Sequence, residues 1–154
     1  MINSIDRGFT TPETDQVKRL LAAVALPTQD LDEAKDIRFV GYGPADKPHA
    51  IVGLEIHRPY GLLRSLAVSE DARQRGLGAD MVAEIERLAS ELGLYAIYLL
   101  TTTAADFFRR LGYSEKKRIS VPMEIRQTSE FASICPDDAI VMWKPLKGDK
   151  SPFD

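Results

Sequence analysis

Between an apolar run, Leu62 to Val68, and the most regular amphipathic stretch of the chain stands Arg73-Gln74-Arg75-Gly76-Leu77-Gly78. The helix expected next, residues 78–92, buries Met81, Val82, Ile85, Leu88, Ala89 and Leu92 and turns Asp80, Glu84, Arg87 and Glu91 outward. Gly93 stops it. The two glycines let the backbone turn sharply and approach a ligand with no Cβ in the way. The first N–H groups of a helix lack partners inside it, and its dipole adds partial positive charge there, so a pyrophosphate suits the place. A plain strand–helix turn has the same glycines, and this segment alone leaves both readings open. Two rival phosphate motifs are excluded. A P-loop needs Lys and Ser or Thr after its second glycine, where Ala79 and Asp80 stand. The dinucleotide fingerprint needs a third glycine.

The other elements follow from periodicity and punctuation. Thr11 and Pro12 read as the N-cap and first residue of a helix whose apolar stripe is Val17, Leu20, Leu21 and Val24, ended by Pro27. Thr28-Gln29-Asp30 is expected to open a second helical piece around residues 31–34. Ile37 to Tyr42 is a strand. Ala50 to His57 is another, with Val52, Leu54 and Ile56 on one face and Gly53, Glu55 and His57 on the other. The turn Arg58-Pro59-Tyr60-Gly61 joins it to Leu62–Val68 as a hairpin. Leu94 to Leu100 is nearly all apolar, as a strand covered on both faces is. Thr103 is placed to cap a short helix carrying Phe107, Phe108 and Leu111, closed by Gly112. Ile119 to Val121 reads as strand, Pro122 to Thr128 as a helical turn, and Ala139 to Trp143 as strand. The order gives a mixed α/β architecture on one sheet.

With 154 residues and no internal repeat or break in composition, residues 1–146 are expected to form one domain, with residues 147–154 as a polar tail. A net charge of −3 speaks against a general nucleic-acid surface. The first residues lack the basic and apolar regions of a signal peptide, and no apolar run approaches the roughly 20 residues that span a bilayer. The single cysteine, Cys135, has no internal disulfide partner. The expectation is a cytoplasmic protein with neither nucleic acid nor membrane as partner.

Leu66-Ala67-Val68 followed by Arg73-x-x-Gly76-x-Gly78 resembles the acetyl-CoA signature of the GNAT superfamily of N-acetyltransferases. In that family a strand and short loop lead to Arg or Gln-x-x-Gly-x-Gly or Ala at a helix start. Phe108-Arg109-Arg110-Leu111-Gly112-Tyr113 is similar to the family's Tyr-x-x-x-Gly-Phe ending, and the likeness runs over roughly residues 13 to 145. It implies a single mixed, mostly antiparallel sheet with helices on both faces and acetyl-CoA as co-substrate. Three strings, residues 62–68, 99–104 and 131–136, resemble more narrowly the branch associated with arsenic-resistance operons. By the resemblance, Leu66, Ala67 and Val68 offer backbone groups to the pantetheine arm. The amides of Gln74, Arg75, Gly76, Leu77, Gly78 and Ala79, beside Arg73, hold the pyrophosphate. Thr101, Phe107 and Phe108 complete the cofactor side. The acetyl group lies where strand 62–68 parts from strand 94–101.

Two positions depart from the family. Thr101 stands where Asn is frequent, and Phe108 where a catalytic Tyr is frequent. Phe108 cannot protonate a leaving thiolate. A thiol pKa near 8.5 makes that loss tolerable, and Tyr113 or a water is the candidate replacement.

Transfer to an amine needs a polarised thioester and a proton acceptor. A backbone N–H at Leu66 supplies the first, as an oxyanion hole does. Glu55 is the candidate base, with the alternative that it is an ordinary strand carboxylate. His57, near a turn, is expected to face solvent. Arg64, in an apolar strand, needs an anion, either Glu55 or a substrate carboxylate. Glu55, Arg64 and Thr102 form the substrate side. Cys135 without thiol or His neighbours reads as packing rather than as a metalloid ligand, and no metal is expected. The activity expected is acetylation of a small primary amine, such as an acidic or metalloid-containing amino acid in arsenic resistance. The alternative is an acetyl-CoA sensor without turnover. A homodimer is an expectation by analogy of fold alone.

Overall fold

The computed structural model describes residues 8–23, 36–73, 76–133 and 139–146. Among these residues seven strands form one sheet: β1 (Phe9–Thr10), β2 (Ile37–Tyr42), β3 (Ala50–His57), β4 (Tyr60–Val68), β5 (Ala96–Thr101), β6 (Ser114–Glu115) and β7 (Ile140–Pro145). Their order is β1-β2-β3-β4-β5-β7-β6. Only β4 and β5 run parallel, and every other neighbouring pair is antiparallel. Among the described residues five α-helices accompany them: α1 (Thr14–Ala23), α2 (Leu77–Glu91), α3 (Ala105–Arg110), α4 (Met123–Arg126) and α5 (Ser129–Ser133).

The alternation in β3 divides the core as the sequence predicts. Val52, Leu54 and Ile56 pack beneath α2 with Met81, Val82, Ile85 and Ala89. On the other face Ile51 and Ala67 meet Val17 and Leu21 of α1. Further along that face Leu62, Tyr98 and Val141 meet Ile125 of α4 and Phe131 of α5. Glu55 and Arg64, buried, lie on the α1/α4/α5 face. Helices therefore cover both faces, which makes the central strands almost continuously apolar.

Several expectations need correction. Helix α1 starts at Thr14 rather than at Pro12, which is buried against Gly41 of β2. The hairpin between β3 and β4 turns over Arg58 and Pro59 alone, since Tyr60 already pairs with His57. Glu84 is not outward: it is buried and grips Arg87 through Nε (2.6 Å) and Nη2 (3.0 Å). The hydrogen bond with Glu84, with the charges of Glu84 and Glu91, pushes the Arg87 guanidinium still higher than an ordinary arginine. Thr103 does not cap α3. No side chain caps it; Thr101 Oγ1 accepts the N–H of Ala104, the residue just before the helix, at 2.9 Å. Residues 118–120 form a single 3-10 turn with Ile119 exposed, not a strand. The two-residue strands β1 and β6 were not expected, being too short to show periodicity. Val24, Pro27, the piece at 31–34, Cys135 and the tail at 147–154 lie outside the described residues. Among the described residues no helix is long and apolar enough to cross a membrane.

Candidate active site

The site begins with a fault in β4. Gly53 pairs with Arg64 and Ile51 with Ala67, so Ser65 and Leu66 together oppose Val52 alone. This is a β-bulge, and Ser65 takes the left-handed conformation, φ 61°, that the extra residue demands. From Leu63 on, before the bulge is reached, β4 has already left its parallel neighbour. The two are paired only where Tyr60, Gly61 and Leu62 meet Ala96, Ile97 and Tyr98. Past that point Leu63 to Leu66 form one wall and Leu99 to Thr101 the other. The cleft between them, about 260 Å³, is closed by Thr102, Thr103, Ala104, Phe107 and Phe108, with Glu130 of α5 at its side.

The glycine turn stands next to this fork. Gly76 adopts φ 73° at the N-cap of α2 with no side-chain cap, and Leu77, Gly78 and Ala79 form the first turn. Its earliest N–H groups have no partner within the helix. Gly78 looks onto the ring of Phe107, which a Cβ would meet at 3.3 Å. The bare backbone at Gly78 and the Phe107 ring thus join the helix start to the cleft wall. Arg73 donates from Nε to the carbonyl of Val68 at 3.2 Å and ties the turn back to β4. Gln74 and Arg75 lie outside the described residues.

Of the substrate-side candidates, Arg64 and Thr102 line the cleft. Glu55 sits behind Arg64: its Oε2 accepts from Arg64 Nη1 at 3.1 Å, and its Oε1 lies 2.7 Å from His57 Nε2. Arg64 also donates from Nε to Ser65 Oγ at 3.1 Å, so one guanidinium links the bulge to the carboxylate. His57, expected at the surface, is only 30% exposed in its side chain and is held by Glu55.

Phe108 is buried, edge-on to Phe107 and Tyr113. The hydroxyl of Tyr113 has a partner of its own. Its O–H donates to Glu86 Oε2 at 2.9 Å, while Lys144 holds Glu86 Oε1 at 3.0 Å. Burial first, then the charge and hydrogen bond of Glu86, push that phenol far above its ordinary value.

Glu130 escaped the sequence reading. It lies between Ser129 and Phe131 with no motif around it, and only the packing of α5 beside β4 brings it to the cleft. A second hollow, about 440 Å³, lies between the β1–β2 edge and α2, bounded by Phe9, Val40 and Leu88. It shares no residue with the fork and contains none of the residues that the sequence singled out for chemistry.

Comparison with known proteins agrees with this geometry. Residues 32–115 match the family described as acetyltransferase (GNAT) domain. An uncharacterized N-acetyltransferase of Chlorobaculum tepidum is 35% identical over 85 residues, which are 54% of this chain and 54% of that protein. An amino-acid acetyltransferase of Azotobacter vinelandii is 42% identical over 53 residues, 34% of this chain and 12% of that protein. The chain thus spans about half, or less, of the length of these curated relatives. Among solved structures, a Mycobacterium tuberculosis protein in complex with CoA and a second ligand has a TM-score of 0.71 at 22% identity, covering 90% of this chain and 98% of that one. N-acetylglutamate synthase from Neisseria gonorrhoeae, complexed with coenzyme A and N-acetyl-glutamate, has a TM-score of 0.68 at 14% identity, covering 90% of this chain and 34% of that one. These two likenesses are of fold.

Proposed function

Because the chain belongs to the GNAT acetyltransferase domain family, we propose that it transfers the acetyl group of acetyl-CoA to the primary amine of a small molecule. The observation that carries this reading is the fork of β4 and β5 opening beside the glycine start of α2. The pyrophosphate is assigned to the α2 N-terminus, Gly76 to Ala79, and the pantetheine arm to the β4 backbone at Leu66, Ala67 and Val68. Thr101, Phe107 and Phe108 are the far wall. The thioester carbonyl then faces a backbone N–H at Leu66, which stabilises the developing oxyanion.

Glu55 is the proposed base. It takes one proton from the ammonium through water, and His57 at 2.7 Å continues the path toward solvent. The neutral nitrogen bonds to the carbonyl carbon, the carbon–sulfur bond breaks, and coenzyme A leaves as thiolate. The second proton from nitrogen passes to water or to that thiolate. With Phe108 apolar and Tyr113 committed to Glu86, no side chain need protonate the sulfur first.

The finer reading is that the acceptor is an amino acid carrying an acidic or metalloid group, with a role in arsenic resistance. It is supported by the cationic Arg64 in the cleft and by the resemblance of residues 62–68, 99–104 and 131–136. Thiol release from acetyl-CoA across the common amino acids and simple primary amines tests the activity, with Glu55→Gln alongside. Turnover that falls about 10²-fold or more in the variant supports both class and base. Tight acetyl-CoA binding with no thiol release from any amine supports the sensor instead.

A further inference from the structure

Among the described residues Ser65 alone carries a side chain in the left-handed region, φ 61°, and it lines the cleft. Glycine takes such a position without strain, so the serine there calls for a reason. We infer that its hydroxyl donates a hydrogen bond to the thioester carbonyl of bound acetyl-CoA, the second donor beside the Leu66 N–H. This rests on the acetyl-transfer reading of the same cleft and adds a side chain that stabilises the oxyanion.

Four observations carry it. First, the bulge sets Ser65 and Leu66 together against Val52, and both residues line the cleft. A side-chain oxygen and the N–H of the next residue are near enough along the chain to share one acceptor. Second, the hydroxyl has its proton to give. Its Oγ accepts from Arg64 Nε at 3.1 Å, and among the described residues nothing accepts from it. A hydroxyl has one donor and two lone pairs, so that bond leaves the O–H free. Ser65 itself is only half-buried.

Third, the guanidinium that holds Oγ is itself fixed. Arg64 is buried, and its Nη1 donates to Glu55 Oε2 at 3.1 Å. Arg64 needs no ligand for this role. Its charge anchors Oγ and polarises it, which strengthens the O–H as a donor. Fourth, the other hydroxyls stand elsewhere. Phe108 has none, and that of Tyr113 is engaged by Glu86. Thr101 belongs to the opposite wall, where its Oγ1 accepts from Ala104, and Thr102 and Thr103 to the turn after it. Ser65 thus supplies the hydroxyl of the β4 wall, the wall to which the pantetheine arm is assigned. The serine keeps its proton throughout and forms no covalent bond. It only steadies the negative charge that gathers on the carbonyl oxygen as the amine adds.

The test compares wild type with Ser65→Gly, which removes the hydroxyl and suits the backbone, and Ser65→Asn. Asparagine tolerates the left-handed region and brings an N–H donor. Two readouts are taken: kcat and KM for thiol release across the amino-acid panel, and the infrared carbonyl band of bound acetyl-CoA labelled with ¹³C at the carbonyl. The expected result is a kcat about 10²-fold lower in Ser65→Gly, with the KM for acetyl-CoA and the thermal midpoint near wild type. Ser65→Asn recovers part of the rate. The carbonyl band, lowered on binding to wild type, moves back toward its free position in Ser65→Gly. A kcat within about threefold of wild type in Ser65→Gly, or a band that stays at the wild-type position, overturns the inference and leaves acetyl transfer standing. Absence of thiol release from wild type with every amine contradicts acetyl transfer itself. The carbonyl band then decides alone: a shift that depends on Ser65 supports the hydrogen bond, and a band indifferent to Ser65→Gly overturns it.

Discussion

Ser65 is the only non-glycine residue with positive φ among those described, and it sits in the bulge where β4 shifts register against β3 before pairing with it again. A serine there is strained by about 1 kcal/mol relative to glycine. Replacing it with valine is expected to lower stability by a further ~1–2 kcal/mol, since a β-branched side chain resists the left-handed region, while glycine is tolerated. Urea unfolding of the two variants checks the order. Tyr113 offers a test of a different kind. Its hydroxyl is tied to Glu86, so Tyr113→Phe is expected to cost ~1 kcal/mol of stability and to leave the rate of thiol release within about threefold of wild type. A large loss of rate with the fold intact would make it the missing proton donor. Arg64 and Glu55 were legible in the sequence because charges inside an apolar hairpin demand explanation. Glu130 was not, because a glutamate in a short polar stretch looks like any solvated one until α5 is seen to pack beside β4.

Helix α2, fifteen residues long, was readable almost to the residue, as its apolar stripe runs along it and a glycine stands near each end. Its one error, Glu84, follows from the rule that places charge outward. The rule fails here because Arg87 satisfies both carboxylate oxygens. Short elements gave less. β1 and β6 have two residues each and gain their identity only from partners distant in sequence. The cap of α3 was assigned to the nearest threonine, whereas no side chain caps it and Thr101, at the end of β5, bonds the N–H of Ala104 just before the helix. At the start of α2, Gly76 has open space around it and φ 73°, so the backbone, not crowding, reserves the position for glycine. Gly76→Ala is expected to cost ~1–2 kcal/mol of stability. It should also weaken acetyl-CoA binding several-fold, as the first turn tilts away from the pyrophosphate. Calorimetric titration with acetyl-CoA measures it. Unchanged affinity would separate this turn from the cofactor.

The whole molecule is a sheet with two different faces, one beneath the long α2 and one beneath α1, α4 and α5. The second holds a cluster of tyrosines whose ionisation the fold resists. Burial, then the neighbouring phenols of Tyr60 and Tyr95, push Tyr98 up to about 12 from an ordinary value near 10. Tyr60 is raised in the same direction by burial, Glu124 and Tyr95. With the folded value above the unfolded one, their contribution to stability is complete below about pH 10 and is lost as pH rises toward 12. Chemical denaturation at pH 9, 10 and 11 should therefore show stability falling only above the ordinary tyrosine range, and Tyr98→Phe should flatten that fall. The mixed α/β sheet was legible because strands and helices announce themselves by period, while the fork and the bulge beside it leave no mark in the periodicity. The central claim is that this fork brings acetyl-CoA and an amine together. Incubating the protein with acetyl-CoA and an amino acid, and following free thiol and N-acetylated product together by mass spectrometry, tests it most directly. The account predicts one acetylated amine for each thiol released. Acetyl-CoA that stays intact, or thiol that appears without acetyl on the amine, would contradict it.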